Sequence, residues 1–445
     1  MKRWWFVVIA LLGLSVWALA QKPIEITFWH AFGGARTAII ERMVEDFNYT
    51  HPGIHVSAEF KGSYRDTLNA AILAAQQGNP PHVVQIFEVG TQLAIDSGIF
   101  VPIQDLTTES ELMPEDFIEG VADYYKIGGK FYSVPWNSSN PVLYYNKDIF
   151  AKAGLDPNKP PRTFEELLAY SKRIIESGAA KMALSAALHS WYFEQWMACM
   201  DELLVNNNNG RTGRATESFL DSLAAKTIVD WWGKMAKNGY WAYTGKLEDW
   251  DGAEGLFVSG QAAMLLESTS EVAYLRKVFG EKGIGLGVAP FPYPAKYLDG
   301  TPTKAPVGFV VGGASLWITK DHPDEELQAA KEFVLWMSNV ENTIRWHKLT
   351  GYFPVRKKAV EVLEFEGWFN KYPEYAVAFN QLLSSKSTYG TRGALTGAFL
   401  EIRTIIEQAI EKVIAGKATV DQALAEAKQR ADAAIQRYNA SVGAG

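Results

Sequence analysis

Apolar residues alternate with polar ones at Ile54, Val56, Ala58 and Phe60, whereas Ile39, Met43 and Phe47 recur at every fourth position. The first spacing puts alternate side chains on one face and predicts a strand; the second predicts a helix. With the β-rich run Ile24–His30, which ends before Gly33-Gly34, the order is strand, helix, strand. Tyr64–Gln77 again carries helical spacing (Leu68, Ala71, Ile72, Ala75), Pro80-Pro81 punctuates it, and Val83–Phe87 reads as a short strand of the buried type. Alternating β and α segments predict a largely parallel sheet. Such sheets hold ligands outside the carboxyl ends of their strands, and Glu88 stands at one of those ends.

The pattern changes near residues 133–146. Ser133–Trp136 and Val142–Tyr145 read as extended, Lys147 onward as helical, and Thr163-Phe-Glu-Glu166 as a capping box. Residues 164–280 read as mainly helical, interrupted by the polar loop Asn206–Gly213. Gly283–Pro294 is rich in glycine and proline, and Val307–Ile318 is a β-type segment. Helical patterns resume at Asp324, break at Gly351-Tyr-Phe-Pro354, and run to the end, with Thr419-Val-Asp-Gln422 capping the last helix. The β-rich stretches near 133–137, 284–290 and 349–355 read as three crossings between discontinuous lobes. The expected fold class is α/β with two lobes, 21–135 with 287–348 and 136–286 with 349–445.

The first twenty residues change what this fold is for. Lys2 and Arg3 precede the apolar run Trp4–Trp17, and Ala18-Leu19-Ala20 is a small-residue cleavage site ahead of Gln21. This predicts a secretory signal over 1–20. The residue after the cut is not Cys, and no later apolar run approaches the ~20 residues that span a bilayer. An exported, soluble protein free of a lipid anchor is expected. Forty-three basic against 50 acidic groups, with Lys2 and Arg3 among those removed, argue against nucleic acid, whose binding rests on basic patches. The single cysteine, Cys199, precludes a disulfide framework and sits in an apolar context that predicts a buried thiol. Fifteen tryptophans and 19 tyrosines exceed what cores need and point to stacking surfaces in a ligand cleft.

Several segments carry a resemblance to a known family: Ile26-Thr-Phe-Trp-His30, Lys61-Gly-Ser-Tyr64, Phe87-Glu-Val-Gly-Thr91, Asn137 to Asp148 with its Tyr-Asn-Lys-Asp ending, Gly312-Gly-Ala-Ser-Leu-Trp317 and Trp346-His-Lys-Leu-Thr-Gly-Tyr352. Over nearly all of its mature length the chain resembles the glycerol-3-phosphate-binding components of bacterial ABC importers, within the extracellular solute-binding family that also serves oligosaccharides. The resemblance implies a two-lobed periplasmic binding protein fold closing on a solute, then delivery to a membrane permease with a cytoplasmic ATPase. It implies a monomer in the periplasm, with no cofactor and no metal.

The resemblance also implies a site. Arg403 lies at the edge of the inward stripe Phe399, Ile402, Ile406, Ile410 and Val413. Spacing alone equally suits an arginine with its stem on the core and its head in water; the family aligns it with a phosphate-binding arginine. Ser139, otherwise a turn serine, aligns with a phosphate contact. Gly313 would offer a backbone N–H, or merely a tight turn, and Tyr352 would donate its hydroxyl or pack at a crossing. Tyr64, Glu88 and Ser268 match the remaining polar contacts. Glu88 is expected at the opposite end of the ligand from the phosphate, since like charges repel. The named residues of the first lobe would be Tyr64, Glu88 and Gly313; those of the second, Ser139, Trp191, Ser268, Tyr352 and Arg403. Trp191 matches one of two family tryptophans, and Leu188 stands at the other. Losing an indole there would leave space, which predicts that glycerophosphodiesters such as glycerophosphocholine bind at least as well as glycerol 3-phosphate.

An exported hydrolase finds little support. Of seven histidines, His51 and His55 are four apart but separated by Pro52-Gly53, which forbids a shared helix. Gly313-Ala-Ser-Leu-Trp317 misses the nucleophile elbow at its last position, and Gly283-Ile-Gly-Leu-Gly287 fails the dinucleotide fingerprint at Val288. Glu248-Asp-Trp-Asp-Gly252 lacks calcium-loop spacing and reads as a surface turn. No catalytic residue is singled out. Within the binding class the alternative is an oligosaccharide, which needs aromatic platforms and carboxylates but no buried cation.

Overall fold

A computed structural model describes residues 22–443, so the predicted signal over 1–20 lies outside the described residues. Two sheets organise the chain. In the first, the strand Ile54–Phe60 lies beside Ile24–His30, then Val83–Phe87, Gly312–Thr319 and Phe100–Val101, and Val134–Ser139 also pairs with Gly312–Thr319. Its first three strands are parallel, in register from Ile24 opposite Ile54 to His30 opposite Phe60, because the helices Ala35–Thr50 and Tyr64–Gln76 cross over between them. Ile26, Phe28, Val83, Val84 and Ile86 are almost wholly buried, as strands covered on both faces require.

The second sheet runs Trp241–Ala242, Met182–Ser185, Ala262–Ser268, Pro141–Asn146, Leu286–Pro290. Three of these strands lie inside 164–280, which had read as mainly helical. Met-Ala-Leu-Ser and Ala-Ala-Met-Leu-Leu-Glu-Ser are built from good helix formers. Burial on both faces and pairing across the chain, Met182 with Ala262 and Leu184 with Trp241, override that preference.

The crossings also move. Val134–Ser139 stays in the first sheet through Ser139, and Pro141 opens the second, so Asn140 alone makes the first passage; its Nδ2 donates to Val310 O at 2.8 Å. Leu286–Pro290 is an edge strand of the second sheet, antiparallel to Pro141–Asn146, so that passage lies between Pro290 and Gly312 rather than at 286/287. Around the third, Phe353 N donates to Ser138 O at 2.7 Å.

Local capping chemistry explains several helix starts. Ser63 with Asp66 and Thr419 with Gln422 form complete capping boxes. At Thr163 only half forms: its hydroxyl accepts from Glu166 N, but Glu166 Oε2 accepts from Arg162 N at 2.6 Å. The helix Phe399–Ile414 spans the expected residues and buries Phe399, Ile402, Ile406 and Ile410. Cys199 is fully buried, and burial pushes its thiol well above its ordinary pKa. Among the described residues no helix is long and apolar enough to cross a membrane.

Candidate functional site

A cavity of about 440 Å³ lies between the two sheets, and Tyr64, Glu88, Ser139, Trp191, Ser268, Gly313, Tyr352 and Arg403 all line it. All but Arg403, which lies inside the helix Phe399–Ile414, sit at or beside the end of an element. Tyr64 opens the helix capped by Ser63, Glu88 directly follows the strand Val83–Phe87, and Gly313 sits at the start of Gly312–Thr319. Ser139 pairs with Gly312 in the first sheet, so it belongs with Gly313 and Glu88 and not, as expected, with the second lobe. Trp191 is in the first turn of the helix Ser190–Cys199, and Ser268 ends the strand Ala262–Ser268.

Close packing shapes the floor. Gly313 has φ +100°, and a Cβ there would stand 1.8 Å from Asn137 O. A Cβ on Gly312 would stand 2.5 Å from Trp191 Cζ2, so the indole lies directly against that backbone. Among the described residues the buried Trp191 Nε1 has no hydrogen-bond partner. Tyr64 stacks on Phe87 (centroids 5.3 Å, 7°) and its hydroxyl accepts from Asn137 Nδ2 at 2.9 Å. Tyr352 packs on Phe32 and Trp346, both at 5.9 Å.

Arg403 is 4% exposed. Its Nε and Nη2 donate to Glu194 Oε1 and Oε2 at 2.7 and 2.8 Å, and Nη2 also donates to Glu88 Oε1 at 2.7 Å. Burial works against this charge, but the two carboxylates outweigh burial and hold the guanidinium pKa above its ordinary value. Glu88 is therefore not at the far end from the cation. A guanidinium taken out of water needs anionic partners of its own, and Glu88 supplies one; burial nonetheless pushes the Glu88 carboxyl up, against the pull of Arg403. Glu194 escaped the sequence reading. Its only local signal is being the single acid in Ser190–Cys199, three residues from Trp191 and hence on its face.

A second cation was also missed. Arg36 pairs with Glu271, donates to Ser270 Oγ at 3.2 Å, and lies 5.5 Å from the Phe32 ring centroid. Glu248-Asp-Trp-Asp-Gly252, read as a surface turn, instead contributes Glu248, Trp250 and Asp251 to the wall. Trp250 meets Trp191 edge to face (centroids 6.2 Å, 63°). Leu188 is buried below the wall, where its carbonyl accepts from Glu248 N at 3.0 Å. The space expected from Leu188 is thus not left open: Leu188 anchors the segment that brings a different indole.

Two carboxyls, one in the cavity wall and one buried near it, titrate unusually. Burial first, then Glu271, raises Glu254 to about 8; burial, then Glu248, raises Glu407 to about 8. The folded protein thus holds protons that the unfolded chain releases above about 4.5. Stability from these groups is fully present at low pH and is lost as pH rises from about 4.5 to 8. Calorimetric melting is expected to be higher near pH 5.5 than near pH 8.5, and the double variant Glu254→Gln, Glu407→Gln should flatten that slope. His189 is held neutral by burial and by Arg403 and Arg65; its Nδ1 accepts from Trp191 N at 2.9 Å, which places the ring proton on Nε2.

Two groups of side chains bring metal-ligand atoms close, His82 with His322 and Glu326, and His189 with Glu248 and Glu407. In the first, the rings stack at 4.1 Å and 22°, so their in-plane lone pairs run side by side rather than converging. In the second, the Nδ1 lone pair of His189 is already taken by Trp191 N.

The bacterial extracellular solute-binding protein model matches residues 42–377. The sn-glycerol-3-phosphate-binding periplasmic protein UgpB of Escherichia coli K12 is 31% identical over 437 residues, 97% of each chain. This chain belongs to the bacterial extracellular solute-binding protein family. Among solved structures, this solute-binding protein is similar to UgpB from Mycobacterium tuberculosis in complex with glycerophosphocholine (TM-score 0.73, 22% identity, 93% of this chain and 98% of that one). It is also similar to the GacH receptor of Streptomyces glaucescens (TM-score 0.78, 18% identity, 94% and 99%). Both likenesses establish the two-lobed fold.

Proposed function

We propose that this solute-binding protein captures a phosphorylated glycerol ligand in the periplasm, a zwitterionic glycerophosphodiester such as glycerophosphocholine ahead of glycerol 3-phosphate. It works as a monomer and hands the ligand to an ABC importer of permease and cytoplasmic ATPase. One observation carries the ligand reading: a single cavity joins the Arg403 guanidinium to the indoles of Trp191 and Trp250 and the acids Glu248, Asp251 and Glu254. A guanidinium suits a phosphate, while indole faces and carboxylates suit a quaternary ammonium. Glu248 and Asp251, on the wall beside both indoles, favour a ligand that brings a positive charge along with its phosphate. The names of the Escherichia coli and Mycobacterium tuberculosis relatives support the same chemistry. Since groups from both lobes line the cavity, a ligand touching both shifts the lobes toward closure by its differential affinity.

A neutral oligosaccharide is the second reading, and one observation favours it: Glu88 and Glu194 already meet the charge of Arg403. Titration calorimetry with glycerophosphocholine, glycerol 3-phosphate and maltose separates the two. Heat from the glycerophosphodiester, less from the monoester and none from maltose is expected; maltose binding without a glycerophosphate response would overturn the proposal. Trp250→Ala should weaken glycerophosphocholine by about 10-fold, the worth of a desolvated cation–π contact, and leave glycerol 3-phosphate within about 3-fold.

A further inference from the structure

More negative charge surrounds the cavity's buried cation than the cation carries. Glu194 chelates Nε and Nη2 of Arg403, Glu88 shares Nη2, and among the described residues Nη1 has no protein hydrogen-bond partner. The two carboxylates are not equally held. Glu194 is 7% exposed, its Oε1 accepts from Arg403 Nε and also from Ser190 Oγ at 3.1 Å, and its Oε2 accepts from Nη2. Glu88 meets Arg403 through one oxygen and one hydrogen bond. An incoming phosphate can reach Nη1 and replace the single bond of Glu88, but displacing Glu194 would break three bonds and leave Ser190 Oγ without its acceptor.

We infer that Glu194 is a specificity-determining residue: as a permanent counter-charge on Arg403 it admits a singly charged phosphodiester and disfavours a doubly charged phosphomonoester. This inference rests on the glycerophosphate reading above and deepens it by naming the group that selects on phosphate charge. A diester group carries one negative charge, which a guanidinium already half of a salt bridge can still share through its free Nη1. A monoester near pH 8 carries close to two, and the second lies a few ångströms from a buried carboxylate. At an effective dielectric of about 20, one added like-charge contact at that range costs on the order of 100-fold or more in affinity. Choline plays no part in this, so the effect should persist with ligands that lack it.

The test uses glycerol 3-phosphate and its methyl ester, which share the glycerol and the phosphorus centre and differ by one methyl and one charge. In calorimetric titrations of the mature protein near pH 8, the methyl ester is expected to bind at least about 10-fold tighter. Glu194→Gln keeps the shape and removes the charge. It should raise affinity for both ligands, for glycerol 3-phosphate by at least about 10-fold more than for the ester, and so erase the preference. Glu194→Asp keeps the charge and should keep the preference. A Glu194→Gln protein that weakens both ligands by the same factor, or leaves their ratio unmoved, overturns the inference. So does a folded Glu194→Asp protein whose preference has vanished, which serves should the glutamine variant fail to fold. If wild-type protein binds neither compound, the ligand reading falls along with this inference; if it binds both and only the ratio fails to respond, the inference alone falls.

Discussion

Replacing Arg403 by alanine is expected to abolish glycerophosphate binding and to lower the melting temperature in the same stroke. Each charge-assisted hydrogen bond lost to a phosphate costs about 1.5–3 kcal/mol, so affinity should fall by about 100-fold or more. The stability effect arises because Glu88 and Glu194, 5% and 7% exposed, would be left facing each other without the guanidinium. Removing one partner of a buried ion pair costs about 3–5 kcal/mol. Protonation relieves the damage: without the pull of Arg403 the buried Glu88 carboxyl shifts further upward, so the variant should be closer to wild type near pH 5 than near pH 8. Differential scanning calorimetry at both pH values checks the stability half, and titration calorimetry the binding half. The triple variant Arg403→Met, Glu88→Gln, Glu194→Gln should regain stability while still failing to bind. An Arg403→Ala protein that melts like wild type at pH 8 would mean the ion triad does not form in solution.

Gly313→Ala should be among the most damaging single methyls in the described residues. The backbone holds φ +100° there, which already costs a non-glycine residue about 1–2 kcal/mol. The added Cβ would also stand 1.8 Å from Asn137 O and 3.3 Å from Ser138 Cα, both backbone atoms with no rotamer to retreat into. The strands Gly312–Thr319 and Val134–Ser139 would have to part at the place where Gly313 opposes Ser138. A loss of about 4 kcal/mol, roughly 10 °C in melting temperature, is expected, together with loss of ligand heat. Gly34→Ala is the control: its backbone sits at φ +60°, ψ −138°, but nothing lies within 4 Å of the added Cβ, so only a backbone term of about 1–3 kcal/mol should appear. Equal effects at the two positions would show that conformation rather than contact governs.

How far the chain could be read depended on how local each feature is. Ile24–His30 and Val83–Phe87 form over the residues their patterns mark, and Phe399–Ile414 carries Arg403 on its inward edge. Those outcomes follow from 2.0- and 3.6-residue periods acting over a few residues. Three strands of the second sheet were illegible for the opposite reason: Met182–Ser185, Trp241–Ala242 and Ala262–Ser268 are extended only because distant partners bury them. The eight candidate residues converge on one cavity although their spacing along the chain gives no hint of it; family resemblance supplied that grouping, and periodicity did not.

Sequence alone determined the α/β alternation, the capped helix starts and the buried thiol of Cys199, because each follows from neighbours a few residues away. Tertiary structure alone decided which charges meet. Glu194 and Glu88 reach Arg403 across 209 and 315 residues, and Trp250 arrives where Leu188 had suggested a gap. Electrostatic pairing depends on distance through space and on the water excluded between the partners, neither of which the order of residues records.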